Sequence, residues 1–127
     1  MSINIIAGTL NKYVVDNWVE TPIQLRDATF VEPTSDEWIS VAFTPTNRNL
    51  VGLDGTLTGR VENIGIFIVR CYAKYRLTAL DLADKVNTLL DGKRLNNGIY
   101  TELGQPSDPI FIEGKFECTV TFRVSSC

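Results

Sequence analysis

The amino-acid sequence predicts an α+β domain: a mainly antiparallel or mixed β-sheet flanked by two α-helices, in the order α-β-β-β-α-β-β. Two segments, one at the start and one in the second half, place apolar residues at helical spacing. The segments between and after them alternate with period two or are apolar throughout, and Gly, Pro, Asn and Asp mark their borders. With 127 residues, 44% of them apolar, the chain suits one domain over 1–127 with a sizeable core.

Ser2 can cap the first helix. Ile3, Ile6, Ala7, Leu10, Tyr13 and Val14 form its apolar face, Gly8 weakens it, and it should end near Asp16–Trp18, before Pro22. Ile23–Val31 reads as the first strand and Glu32–Asp36 as a turn. Glu37–Pro45 is the second strand, with Ile39, Val41 and Phe43 on one face and Trp38, Ser40 and Ala42 on the other. Arg60–Tyr75 is the strongest strand. Phe67, Val69, Cys71 and Ala73 share one face; Ile66, Ile68 and Tyr72 share the other, with Arg70 its polar exception. A strand apolar on both faces belongs mid-sheet with an element packed on each side, and the two helices are the candidates. Thr78 reads as the cap of the second helix, Thr78–Asp91, with Asp81 three residues on and Gly92 as its stop. Its stripe is Ala79, Leu82, Ala83, Val86, Leu89 and Leu90. A short strand near Ile99–Leu103 is followed by a Pro/Gly/Ser/Asp loop. In the last strand Phe116, Cys118, Val120, Phe122 and Val124 alternate with polar residues, which gives one buried and one wet face.

Composition narrows the function. A net charge of −3 and a pI near 4.9 argue against non-specific nucleic-acid binding, and the aromatic residues sit in strand cores with no basic groove beside them. The chain contains no His, which removes the usual general base, the usual zinc ligand and every Ser-His or Cys-His pair. Cys71, Cys118 and Cys127 show no C-x-x-C spacing and read as small hydrophobes of a reducing compartment, with Cys127 an exposed thiol. No cationic leader and no apolar run of membrane-spanning length is visible, so a soluble, cytoplasmically made protein is expected.

Catalytic motifs fail on inspection. "LVGLDGTL" is close to the D-x-D-G-T-L of a phosphohydrolase superfamily, but Gly52 stands where the nucleophilic Asp must be. A strand rather than a crossover helix follows, and Asp-Gly is a common turn dipeptide. The glycines 52, 55 and 59 do not fit G-x-G-x-x-G, and no G-K-[ST] occurs. Asp81, Asp84 and Asp91 fit a solvated helix face better than a metal site. No catalytic, cofactor or metal residue is assigned. Arg70 either snorkels, pairs with a Glu across the sheet, or faces a partner.

The stretch Thr44–Gly59 is too long for a tight hairpin, and long loops in compact domains tend to carry function. Leu50, Val51, Leu53 and Leu57 cannot all enter the chain's own core, and Arg48, Asp54 and Arg60 could add charge complementarity at a rim. Together with Asn49 these residues are the candidate subunit or partner interface.

Several features resemble one family. They are the N-terminal helix, "W-x-x-x-P-I" at Trp18–Ile23, "F-V-E-P" at Phe30–Pro33, "EWISVAF", and a long Gly-rich loop leading into "GRVENIGIFIVRCY" at Gly59–Tyr72. The helix "ALDLADKVNTLL" at Ala79–Leu90 and an amphipathic last strand complete the pattern. Over nearly the whole chain this resembles the tail terminator proteins of long-tailed bacteriophages, including minor tail proteins that cap the tube. The resemblance implies a non-enzymatic protein that forms a homohexameric ring on the last tube subunits. Such a ring stops tube polymerisation and joins the tail to the head connector. Its implied partners are itself, the tail tube protein and a head connector or neck protein, with no membrane and no sequence-specific nucleic acid. Its implied place is the head-proximal end of the virion tail. It also implies that the loop at 44–59 orders on assembly. Two alternatives stay open: a head–tail connector or neck completion protein, and a small cytoplasmic α+β binding module.

Overall fold

The computed structural model describes residues 3–25, 36–45 and 62–126. Helix α1 (Ile3–Asn17) is followed by β1 (Ile23–Leu25), β2 (Trp38–Pro45), β3 (Glu62–Ala73) and helix α2 (Arg76–Leu90). A 3-10 turn at Asn96–Gly98 leads to β4 (Ile99–Thr101), β5 (Gln105–Pro106), β6 (Ile110–Ile112) and β7 (Lys115–Ser126). The seven strands form one mixed sheet in the order β1-β2-β3-β7, and β4, β5 and β6 line up in turn along the far side of β7. Among the described strands only β1 and β2 run parallel. The α+β class and the predicted order hold, with two further short strands inside the predicted Pro/Gly/Ser/Asp loop and just after it.

Helix α1 buries Ile6, Leu10 and Val14, one residue per turn, and Trp18 extends the stripe beyond its end. The indole Nε1–H donates to Thr21 Oγ1 at 3.0 Å, and Ile39 N–H donates to the Pro22 carbonyl at 3.1 Å, which hands the chain to the sheet. Gly8 lies on the exposed side of α1, and a Cβ there would meet nothing within 4 Å. Gly8→Ala should therefore raise stability by about 1 kcal/mol, read as a shifted denaturant midpoint at unchanged slope. An unchanged midpoint would mean that α1 is not helical at this position.

Helix α2 starts two residues before the predicted Thr78. Tyr75 is its N-cap and makes no side-chain capping bond, and Ala79 N–H donates to the Tyr75 carbonyl at 3.1 Å. The helix begins as soon as β3 has turned through Lys74–Tyr75, so Thr78 lies inside its first turn. Its stop is as predicted, with Asp91 as C-cap and Gly92 at φ +59°, a conformation that disfavours a side chain. Beyond it the Thr101 hydroxyl donates to the Leu90 carbonyl, which ties β4 to the helix end. Gly104 fits only because it lacks a side chain: a Cβ would lie 2.6 Å from the Phe122 ring.

The helices do not divide the two faces of β3 between them, as the strand's own pattern suggested. Both contribute to one core, against Ile39 and Val41 of β2, Phe67, Val69, Cys71 and Ala73 of β3, and Cys118, Val120, Phe122 and Val124 of β7. Ile66, Ile68, Arg70 and Tyr72 on the other face are only half-buried. Register explains the choice. The Phe67 face of β3 is flanked by apolar residues on both neighbours, whereas the Ile68 face meets Trp38, Ser40, Ala42 and Thr44 on β2 and only polar residues, Glu117, Thr119, Thr121 and Arg123, on β7, although Trp38 and Ser40 are themselves buried. Hydrophobicity summed over three strands decides which face is covered.

Candidate functional site: the open edge and outer face of the sheet

The interface residues expected from the sequence, Arg48, Asn49, Leu50, Val51, Leu53, Asp54, Leu57 and Arg60, lie outside the described residues. Their anchor points are described. Pro45 pairs with Gly65 and Glu62 with Ser126, so the chain leaves and re-enters the sheet at one end of β2 and β3.

On the outer face, Trp38 and Tyr72 are register partners whose rings stack at 4.1 Å between centroids and 18° between planes. Next to them Arg70 Nε lies 3.5 Å from Glu117 Oε1, and the Thr119 hydroxyl donates to the same oxygen at 3.4 Å. Of the readings open for Arg70, the Glu across the sheet is the one seen. The two side chains are 30% and 19% exposed, so the pair is partly desolvated, and loss of either partner would leave a half-buried charge.

The opposite end of the strands carries a feature that the sequence reading missed. Strand β6, "IFI", is an edge strand whose residues are all exposed: Ile110 59%, Phe111 61% and Ile112 45%. It is held by a two-residue hairpin, Glu113 and Gly114, both at positive φ (48° and 83°). This is the backbone of a primed turn, in which the twist of the turn matches that of the strands. Asn-Gly or Asp-Gly would have announced it; Glu-Gly does so only weakly. Ile110 and Ile112 pair with Glu117 and Lys115 toward the outer face, and Phe111 meets Phe116 edge-on at 5.1 Å toward the helix side. Tyr75 (63% exposed) and Leu77 (75% exposed) follow directly on Ala73, the register partner of Phe116. Five of the nine exposed large hydrophobic side chains among the described residues thus gather at one end of the sheet. Single exposed apolar residues need no explanation, but a cluster on a strand edge that no described residue pairs with does.

No group of three or more metal-ligating side chains occurs among the described residues. Asp81 and Glu20 both hold Lys85, at 3.4 Å each, and their hydrogen bonds raise its pKa. Asp91 accepts from Gly104 N–H at 2.5 Å. Cys71 and Cys118 are cross-strand partners under the helices, both fully buried, and burial pushes both thiols upward. At about pH 8 they should resist a thiol reagent in the native protein and react once guanidinium unfolds it. Labelling at equal rates in both conditions would contradict the buried placement. A cleft of about 920 Å³ between β4–β5 and the outer face is lined by Ile66, Tyr100, Glu102, Leu103, Thr121 and Arg123, and Glu102 in it accepts from the Ser125 hydroxyl at 3.2 Å. No helix among the described residues is long and apolar enough to cross a membrane. No protein-family model matches the chain, and no curated protein is significantly similar to it.

Proposed function

We propose that this chain is a structural virion protein of the tail-terminator kind. In this reading it caps a phage tail tube as a homohexameric ring, stops polymerisation and presents the joining surface to a head connector. One observation carries the reading furthest: an exposed apolar cluster at Ile110–Ile112 lies at the end of the sheet opposite the one where the chain leaves β2 at Pro45 and enters β3 at Glu62, the anchors of the glycine- and leucine-bearing stretch named from the sequence. A ring needs two different patches per subunit, because each copy meets its neighbours head to tail. The α+β order and the family resemblance in the sequence support the same reading. No residue assigned above has a catalytic role in it.

Light scattering and negative-stain microscopy of the purified protein, alone and with tube subunits, test the proposal. The expected result is shorter tubes ending in a six-fold ring. A strict monomer that neither caps nor shortens tubes would overturn it. The cleft beside β4–β5 favours one other reading, a small-molecule binding module. A metabolite that raises the melting temperature by several degrees would be its signature.

A further inference from the structure

We infer that the apolar end formed by Tyr75, Leu77, Ile110, Phe111 and Ile112 docks onto a second copy of this chain, in that copy's groove between the C-terminal end of α1 and helix α2. The inference rests on the ring reading and names two unlike patches through which one copy meets the next.

The groove holds about 330 Å³ and is lined by the apolar Trp18, Val19 and Leu89 and the charged Glu20, Asp84 and Lys85. Val19 is 87% exposed beside the buried Trp18. Helix α1 leads into it with apolar residues on its outer side: Ile5 (50% exposed) and Val15 (51%) project opposite the buried Ile6, Leu10 and Val14. A helix that borders water carries a polar outer face, and one apolar on both sides calls for a second partner. Ile5, Val15 and Val19, with the five residues at the β6 end, make up eight of the nine exposed large hydrophobic side chains among the described residues. Two patches therefore hold nearly all of that surface.

One chain cannot join its own two patches. Leu77 lies in the first turn of α2 and Leu89 in its last, about 18 Å apart along one helix. One patch is a projecting strand edge and the other a recess, so contact runs from each copy to the next, head to tail. Such a contact generates a ring where the rotation closes.

Charge selects the same pairing. Exposed Lys74 and Arg76 flank Tyr75, and the first turn of α2 holds no acidic residue. Asp108 and Glu113 belong to the β6 side of β7, the two bases to its β3 side. At the groove, Glu20 and Asp81 already hold Lys85 at 3.4 Å each, Asp84 adds negative charge, and the last turn of α1 holds no basic residue. The basic half of the apolar end thus suits the acidic groove, whereas two grooves face to face would set carboxylates against carboxylates.

Complementary patch variants test it. Phe111→Glu spoils the projecting end and leaves the groove; Val19→Glu spoils the groove and leaves the end. Both positions are exposed, so each isolated chain should melt within a few degrees of the wild type. Should Phe111→Glu melt lower, the 75% exposed Leu77 supplies Leu77→Glu in its place. Light scattering follows each chain, alone and mixed, where the wild type assembles, free or with tube subunits. Each variant alone should associate at least about a hundredfold more weakly than the wild type. Their equimolar mixture should stop at a heterodimer held by its one intact contact. Three results, with wild-type rings present, would show this docking surface to be wrong and leave the ring reading standing. They are rings from either variant at wild-type concentration, a homodimer from each variant alone, and no heterodimer in the mixture at about tenfold that concentration. If the wild type assembles under neither condition, both readings fall.

Discussion

Phe67→Ala should destabilise the protein by about 3–5 kcal/mol, a large share of the roughly 5–15 kcal/mol that holds a domain of this size together. Phe67 is 0% exposed in the middle of β3, and its register partner on β7 is Phe122, also 0% exposed. The two rings lie on the face that both helices cover, and the cavity left by one ring is walled by strands that cannot collapse into it. Thermal unfolding should shift down by about 10 °C or more. Phe67→Ala combined with Phe122→Ala should cost less than the sum of the two, because the second change enlarges a cavity already present. The contrast is Ile68→Ala, one residue along on the half-buried outer face, which should cost about 1 kcal/mol. Equal losses at 67 and 68 would show that the outer face is covered as fully as the inner one, and the one-sided core would be wrong.

That contrast also marks how far the amino-acid sequence could be read. Local patterns were legible. The α1 stripe through Ile6, Leu10 and Val14, the α2 stripe through Ala79 to Leu90, and the alternation from Phe116 to Val124 each depend on one period within one element. Features set by neighbours in space were not. The inner face of β3 is chosen by what flanks it on β2 and β7, and the partner of Arg70 lies on another strand, so both need the register. The N-terminus of α2 was misplaced because Tyr75 provides no side-chain cap, and Thr78 was the first residue to look like one. Strand β6 escaped notice because three residues held by a Glu-Gly turn give no period to detect. The candidate interface was named from length, glycines and unplaced leucines at 44–59; of this stretch only Thr44 and Pro45 are described.

If the chain caps tubes as proposed, replacing Leu50, Leu53 and Leu57 together with Ser should abolish ring formation and tube capping while moving the melting temperature of the isolated chain by no more than a few degrees. The argument turns on where three leucines are buried. If they packed into their own subunit, each loss would cost about 2–5 kcal/mol, and the triple variant would not fold. If they are buried only between subunits, the isolated chain loses nothing it had. Each interface then forfeits about 1.5–3 kcal/mol per side chain, enough for the three together to weaken association by more than about a thousandfold. Among the described residues the core already gathers twenty-one buried side chains, from Ile6 on α1 to Val124 on β7. Circular dichroism melts and light scattering on the same samples therefore separate the two cases. A collapse of the melting temperature would place the leucines in the subunit core. Intact rings from a well-folded triple variant would remove these leucines from the interface. Amide exchange gives the complementary readout: β6 amides should gain protection when wild-type subunits assemble, and the triple variant should show no such gain.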